Sequence, residues 1–69
     1  MEVQTFNSPS RLLAPADAAE RTSLSWRTIQ RKVRAGAFPL PVRISENRIG
    51  FVEAEVEAWI ASLARVEAA

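Results

Sequence analysis

Residues 22–36 read Thr22-Ser23-Leu24-Ser25-Trp26-Arg27-Thr28-Ile29-Gln30-Arg31-Lys32-Val33-Arg34-Ala35-Gly36, and the rest of the chain is organised around them. Thr22-Ser23-Leu24 forms a tight turn. Ser25 is a helix N-cap, whose side-chain oxygen accepts from an early backbone N–H. Gly36 stands where a helix stops in the left-handed conformation. The residues between them predict one short helix, from Trp26 to about Ala35. At 100° per residue, Trp26, Ile29 and Val33 fall within an arc of about 60°, which is the stripe that packs. Arg27, Arg31 and Arg34 fall within another arc of about 60° on an adjacent face. One face is made for burial and its neighbour carries three guanidiniums.

Upstream, Pro15 occupies a position tolerated in a first helical turn, and a helix is expected from Pro15 to about Thr22. Asp17 and Glu20 suit its dipole, and Ala18 and Ala19 offer a small face for close approach. Two short helices joined by a tight turn, the second one basic, make a helix-turn-helix pattern. Ala19, Ser23 and Ile29 have its spacing: a small residue, a turn residue four later, an apolar residue six beyond. Downstream, each proline of Phe38-Pro39-Leu40-Pro41 biases its predecessor to extended geometry. Val42-Arg43-Ile44 and Ile49-Gly50-Phe51-Val52 then predict a β-hairpin with the four-residue tip Ser45-Glu46-Asn47-Arg48. In that hairpin Ile44 and Ile49 pair near the base of the tip, and Phe51 folds onto the core. Glu53 to about Val66 is a last helix, with Val56, Trp59, Ile60 and Leu63 in i, i+3, i+4, i+7 register. Its acids lie early and Arg65 lies near its end, as the dipole prefers.

The expected architecture is mostly α with a small β-hairpin: a winged helix-turn-helix of three helices and a two-stranded wing, over residues 11–66. Residues 1–10 read as a flexible tail and 67–69 as a trailing end. With 69 residues and twelve alanines among its 33 apolar ones, the chain supplies one modest core. It has no Cys and no His, which excludes disulfides, thiolate nucleophiles, zinc fingers and histidine acid–base chemistry. No apolar run approaches the ~20 residues of a membrane span, and the N-terminus lacks a signal peptide's basic and apolar regions. The expectation is a cytoplasmic binding domain with no cofactor, no metal and no catalytic activity.

The net charge of +1 conceals a segregated pattern. Residues 1–20 carry −2, residues 21–48 carry +6, and residues 49–69 carry −3. Six of the seven basic residues in the central block are Arg, the side chain suited to planar, bidentate recognition. Such a block is the footprint of a surface that meets phosphates. Arg27 and Arg31 are the candidates for guanine O6 and N7, and Lys32 and Arg34, further along the helix, for phosphates. Ser25 and Thr28, at the helix start, join the DNA-binding set, although a surface role suits Thr28 nearly as well. Trp26 has two readings, packing on the stripe or contact with the DNA backbone. Gln30 suits adenine, but its angle near the buried stripe counts against it. On the wing, Arg43 lies on the first strand and Arg48 at the tip, for a minor groove or a phosphate. Glu53, Glu55 and Glu57 face outward and complement the dipole of the last helix.

Ala18-Ala19-Glu20-Arg21-Thr22-Ser23-Leu24-Ser25, Thr28-Ile29, Gly36-Ala37-Phe38-Pro39-Leu40-Pro41-Val42 and Glu55-Val56-Glu57-Ala58-Trp59-Ile60 carry a resemblance. From Leu13 to Leu63 the chain resembles the small phage and prophage excisionases and AlpA-type regulators, which have a MerR-like winged-helix fold. The Phe-Pro-x-Pro-Val run before a short hairpin is the most distinctive element. Three positions depart from the family pattern. Ser23 replaces a usual Gly, which implies a turn tighter or less left-handed. Ala14 replaces a capping Ser or Thr, which implies fraying of the first helix. Trp26 and Gln30 stand where a polar or basic residue and an aromatic are often seen, so the target sequence is not inherited.

The resemblance implies a sequence-specific binder of double-stranded DNA from a phage or integrative element. It would be an excisionase (a recombination directionality factor), a transcriptional regulator, or both. Family excisionases bind repeated sites cooperatively, bend DNA and help an integrase, so the implied partners are DNA, further copies of the chain and an integrase. A domain this small reads too few base pairs for a genome, and this independently argues for tandem sites or self-association. The rival class is a protein–protein adaptor that offers its basic face to an acidic partner.

Overall fold

The computed structural model describes residues 11–66, in the order β1 (Leu12–Leu13), α1 (Pro15–Thr22), α2 (Trp26–Arg34), β2 (Val42–Ser45), β3 (Arg48–Val52) and α3 (Glu53–Ala61). The expected tail over 1–10 and end over 67–69 lie outside the described residues.

Local chemistry sets the helix ends. α1 starts at Pro15 behind Ala14, which makes no side-chain cap. It ends in a Schellman motif. Ser23 is left-handed (φ 61°), the Leu24 N–H donates to the Ala19 carbonyl at 3.2 Å, and the Ser23 N–H donates to that of Glu20 at 3.3 Å. The turn is therefore not less left-handed, contrary to the sequence reading. α2 ends in the same way around Gly36 (φ 74°). There the Gly36 N–H donates to the Val33 carbonyl at 3.1 Å, and the Ala37 N–H to that of Lys32 at 2.8 Å. At its start the Ser25 hydroxyl oxygen accepts from the Thr28 N–H at 3.1 Å and the hydroxyl donates to Thr28 Oγ1 at 3.0 Å.

The core takes one buried side chain from nearly every element: Leu13 of β1, Ala18 of α1, Ile29 of α2, Phe51 of β3 and Val56 of α3, with Phe38 from the α2–β2 connection. Phe51 is central. Trp26 and Phe38 meet it edge-on, with ring centroids 6.1 and 5.5 Å away. β2 contributes nothing buried. It is the wing, outside the core and held to it through β3.

The fold is a winged helix, with four corrections to the sequence reading. First, the sheet has three antiparallel strands in the order β1-β3-β2 rather than two. Leu12 and Leu13 pair with Val52 and Phe51, and this two-residue strand is too short to show an alternating pattern. Second, the hairpin tip is the two-residue turn Glu46-Asn47, because Ser45 and Arg48 still pair. Arg48 is thus the first residue of β3. Third, Ile49 pairs with Arg43, and Ile44 falls at a bulge between Arg43 and Ser45. Neither turn residue has a positive φ, so the turn is not a primed type and the bulge supplies added twist. Fourth, α3 stops at Ala61 with Ser62 as its cap, instead of running to Val66. Leu63 is 52% exposed, and Arg65 is outside the helix. Ile60 is the last α3 residue packed on the core, and beyond it the helix has no surface to cover.

Trp59 is half-buried, set against Phe38 with centroids 4.8 Å apart. Its indole N–H donates to the Ala37 carbonyl at 2.9 Å, tying α3 to the α2–β2 connection. No helix among the described residues is long and apolar enough to cross a membrane.

Candidate nucleic-acid interface

α2 is the platform. Ile29 is fully buried while Trp26 and Val33 pack beside it, so the predicted stripe is the packed one. Fixing that stripe turns Arg27, Arg31 and Arg34 outward. All three are exposed, and with Gln30 they line one recess. α2 has no acidic residue in its first turn and three basic residues in its last. Its positive N-terminal end is therefore open to an anion, and backbone N–H groups there suit a phosphate. The hydroxyls of Ser25 and Thr28 are already engaged with each other in the cap. Lys32 is half-buried, and its helical angle puts it with Thr28 on the flank away from the arginines.

The wing stands directly against α2. Trp26, Gln30, Val33 and Arg34 of α2 share a second recess with Pro41 and with Ile49 of β3. Trp26 thus packs on Phe51 from one side and helps line this junction on the other. Gly50 lets the Ile44 side chain of β2 and the β1 backbone close on β3, since a Cβ there would stand 2.7 Å from Ile44 Cδ1 and 3.0 Å from the Leu13 carbonyl oxygen. Arg43 donates to the Glu46 carbonyl at 3.1 Å, which braces the turn. Arg48 is exposed at the start of β3.

The structure therefore gathers Arg27, Arg31 and Arg34 on one exposed face, keeps Trp26 on the packed stripe beside the wing, and places Ser25 and Thr28 at the N-terminal end of α2. Lys32 lines neither recess. Gln30, disfavoured from its helical angle, is exposed and lines both. The angle lies between the buried stripe and the arginine arc, and the structure leaves the side chain exposed on that boundary.

Arg21 leaves the basic block. It pairs with Glu57, and with Glu53 at 3.1 Å, linking α1 to α3. Its pKa is raised above the ordinary arginine value, by the hydrogen bond to Glu57 first and that to Glu53 second. These two glutamates are thus not simply outward-facing dipole partners, as alternation along α3 suggested.

No curated protein and no solved structure matches the chain significantly. The family model described as prophage CP4-57 regulatory protein (AlpA) matches residues 11–66. That match spans the helix-turn-helix, the wing and α3 together, and the chain belongs to the AlpA family of prophage regulatory proteins.

Proposed function

We propose that this phage-related regulator is a sequence-specific DNA-binding protein of the cytoplasm, without catalytic activity. α2 enters the major groove with Arg27 and Arg31 toward base edges. Lys32 and Arg34 hold phosphates, Ser25, Trp26 and Thr28 lie near the backbone at the helix start, and the wing lays Arg43 and Arg48 on the flanking backbone or minor groove. The observation that carries this reading is the acid-free arginine face of α2 set edge to edge with the wing.

In the finer reading it is an excisionase of MerR-like type. It binds tandem sites cooperatively through contacts between copies, bends DNA and promotes integrase-mediated excision. The family description, a regulatory protein, favours a second reading: transcriptional control with no direct role in recombination. Deleting the gene from its host element separates them. Loss of excision with unchanged transcripts supports the first, and altered transcripts with unchanged excision support the second.

DNA binding itself is tested by salt. With Arg21 engaged by glutamates, six basic residues of the central block are available. About four to six phosphate contacts give a log–log slope of affinity against salt of about −4 to −5. A flat response overturns the DNA reading and leaves the protein adaptor standing.

A further inference from the structure

Gln30 and Arg34 are the residues common to both recesses on this face. On one side Gln30 faces the guanidiniums of Arg27, Arg31 and Arg34. On the other it borders a notch formed by Trp26, Val33, Pro41 and Ile49, apolar apart from Gln30 and Arg34. Its carboxamide thus sits where a cationic surface gives way to an apolar one. Gln30 is exposed, so its amide is open to a ligand on this face.

A carboxamide offers an acceptor and a donor side by side. In the major groove adenine presents the complementary pair, acceptor N7 beside donor N6, whereas guanine presents two acceptors and suits arginine. The A·T pair also carries the thymine methyl, which favours an apolar neighbour. An amide next to an apolar notch matches both features of one base pair, and the adjacent arginines match guanine.

Resting on the DNA reading above, we infer that Gln30 is a specificity-determining residue for an A·T pair. Its carboxamide bonds adenine N6 and N7, and the notch of Trp26, Pro41 and Ile49 receives a thymine methyl.

The test enriches a pool of duplexes with a randomised centre on the full chain, on Gln30→Ala and on Gln30→Glu. The wild-type motif contains an A·T position beside guanine positions. In Gln30→Ala that one preference falls by about 5- to 150-fold, as expected for loss of one bidentate pair. Neighbouring preferences and affinity for the unselected pool stay as they were. Gln30→Glu, nearly the same size and able only to accept, moves the preference toward cytosine, whose N4 donates. Uracil in place of thymine at that position lowers wild-type affinity, and equal binding overturns the role of the notch. An unchanged motif from Gln30→Ala overturns the assignment of Gln30 while leaving DNA binding intact. Failure of the wild-type chain to enrich any motif, together with salt-independent binding, overturns the DNA reading itself.

Discussion

Ser23 and Gly36 hold nearly the same backbone conformation at the ends of successive helices, φ 61° and 74°. An L-residue in that region costs roughly 1–2 kcal/mol, and glycine avoids this at a smaller entropic cost. Ser23→Gly should therefore stabilise the domain by up to about 1 kcal/mol, raising Tm by about 4–8 °C in a chain of this size. Gly36→Ala should do the opposite by a similar amount. Nothing lies within 4 Å of a Cβ there, so the whole penalty is conformational. Thermal melts followed by circular dichroism check both, and a lower Tm for Ser23→Gly would show that the Ser23 hydroxyl outweighs the strain.

At the scale of the element, recognition and bracing are divided between neighbouring side chains. In the wing, Arg43 is bonded to the turn and Arg48 is exposed. Arg48→Ala should leave stability within about 0.5 kcal/mol, as exposed substitutions usually do. It should weaken DNA binding, most where A·T-rich flanks narrow the minor groove. Glu46 in the same turn is the control, and Glu46→Ala should bind equally or more tightly. Wild-type affinity of Arg48→Ala on every flank would make the hairpin a brace only. Within α2, Arg27→Ala or Arg31→Ala should relax specificity and cost about 1–3 kcal/mol on the preferred site. Lys32→Ala should weaken all duplexes alike. A specificity change from Lys32→Ala, with none from the arginines, would mean that α2 presents its other flank.

Six buried side chains form the core among the described residues, and Phe51 is touched from two sides by aromatic rings. Phe51→Ala should cost about 3–5 kcal/mol. Native proteins hold only about 0.05–0.15 kcal/mol per residue, so this variant should melt far below the wild-type chain. An unchanged Tm for Phe51→Ala would place the core elsewhere. The Arg21 link to Glu53 and Glu57 joins α1 to α3 from outside that core. The folded state raises the guanidinium's pKa, so its contribution is complete below the unfolded value and is lost only as pH rises through the folded one. That window lies far above neutrality, and salt rather than alkali is what weakens the link near pH 7.

Features that depend on neighbours along the chain were legible from residue order alone. Ser25 as a cap, Gly36 as a stop, the Trp26–Ile29–Val33 stripe and the arginine arc beside it all rest on helical periodicity and local hydrogen bonding, which span a few residues. The remainder rests on contacts between distant parts of the chain. β1 exists because β3 offers it an edge, and α3 ends where Ile60 exhausts the core surface. Arg21 goes to acids more than thirty residues away in the chain. Gln30 sits on the boundary between a buried and an exposed arc, where helical angle alone does not choose. Pro41 and Ile49, distant from it in sequence, complete the recess beside it, and such contacts leave no period for a local pattern to show.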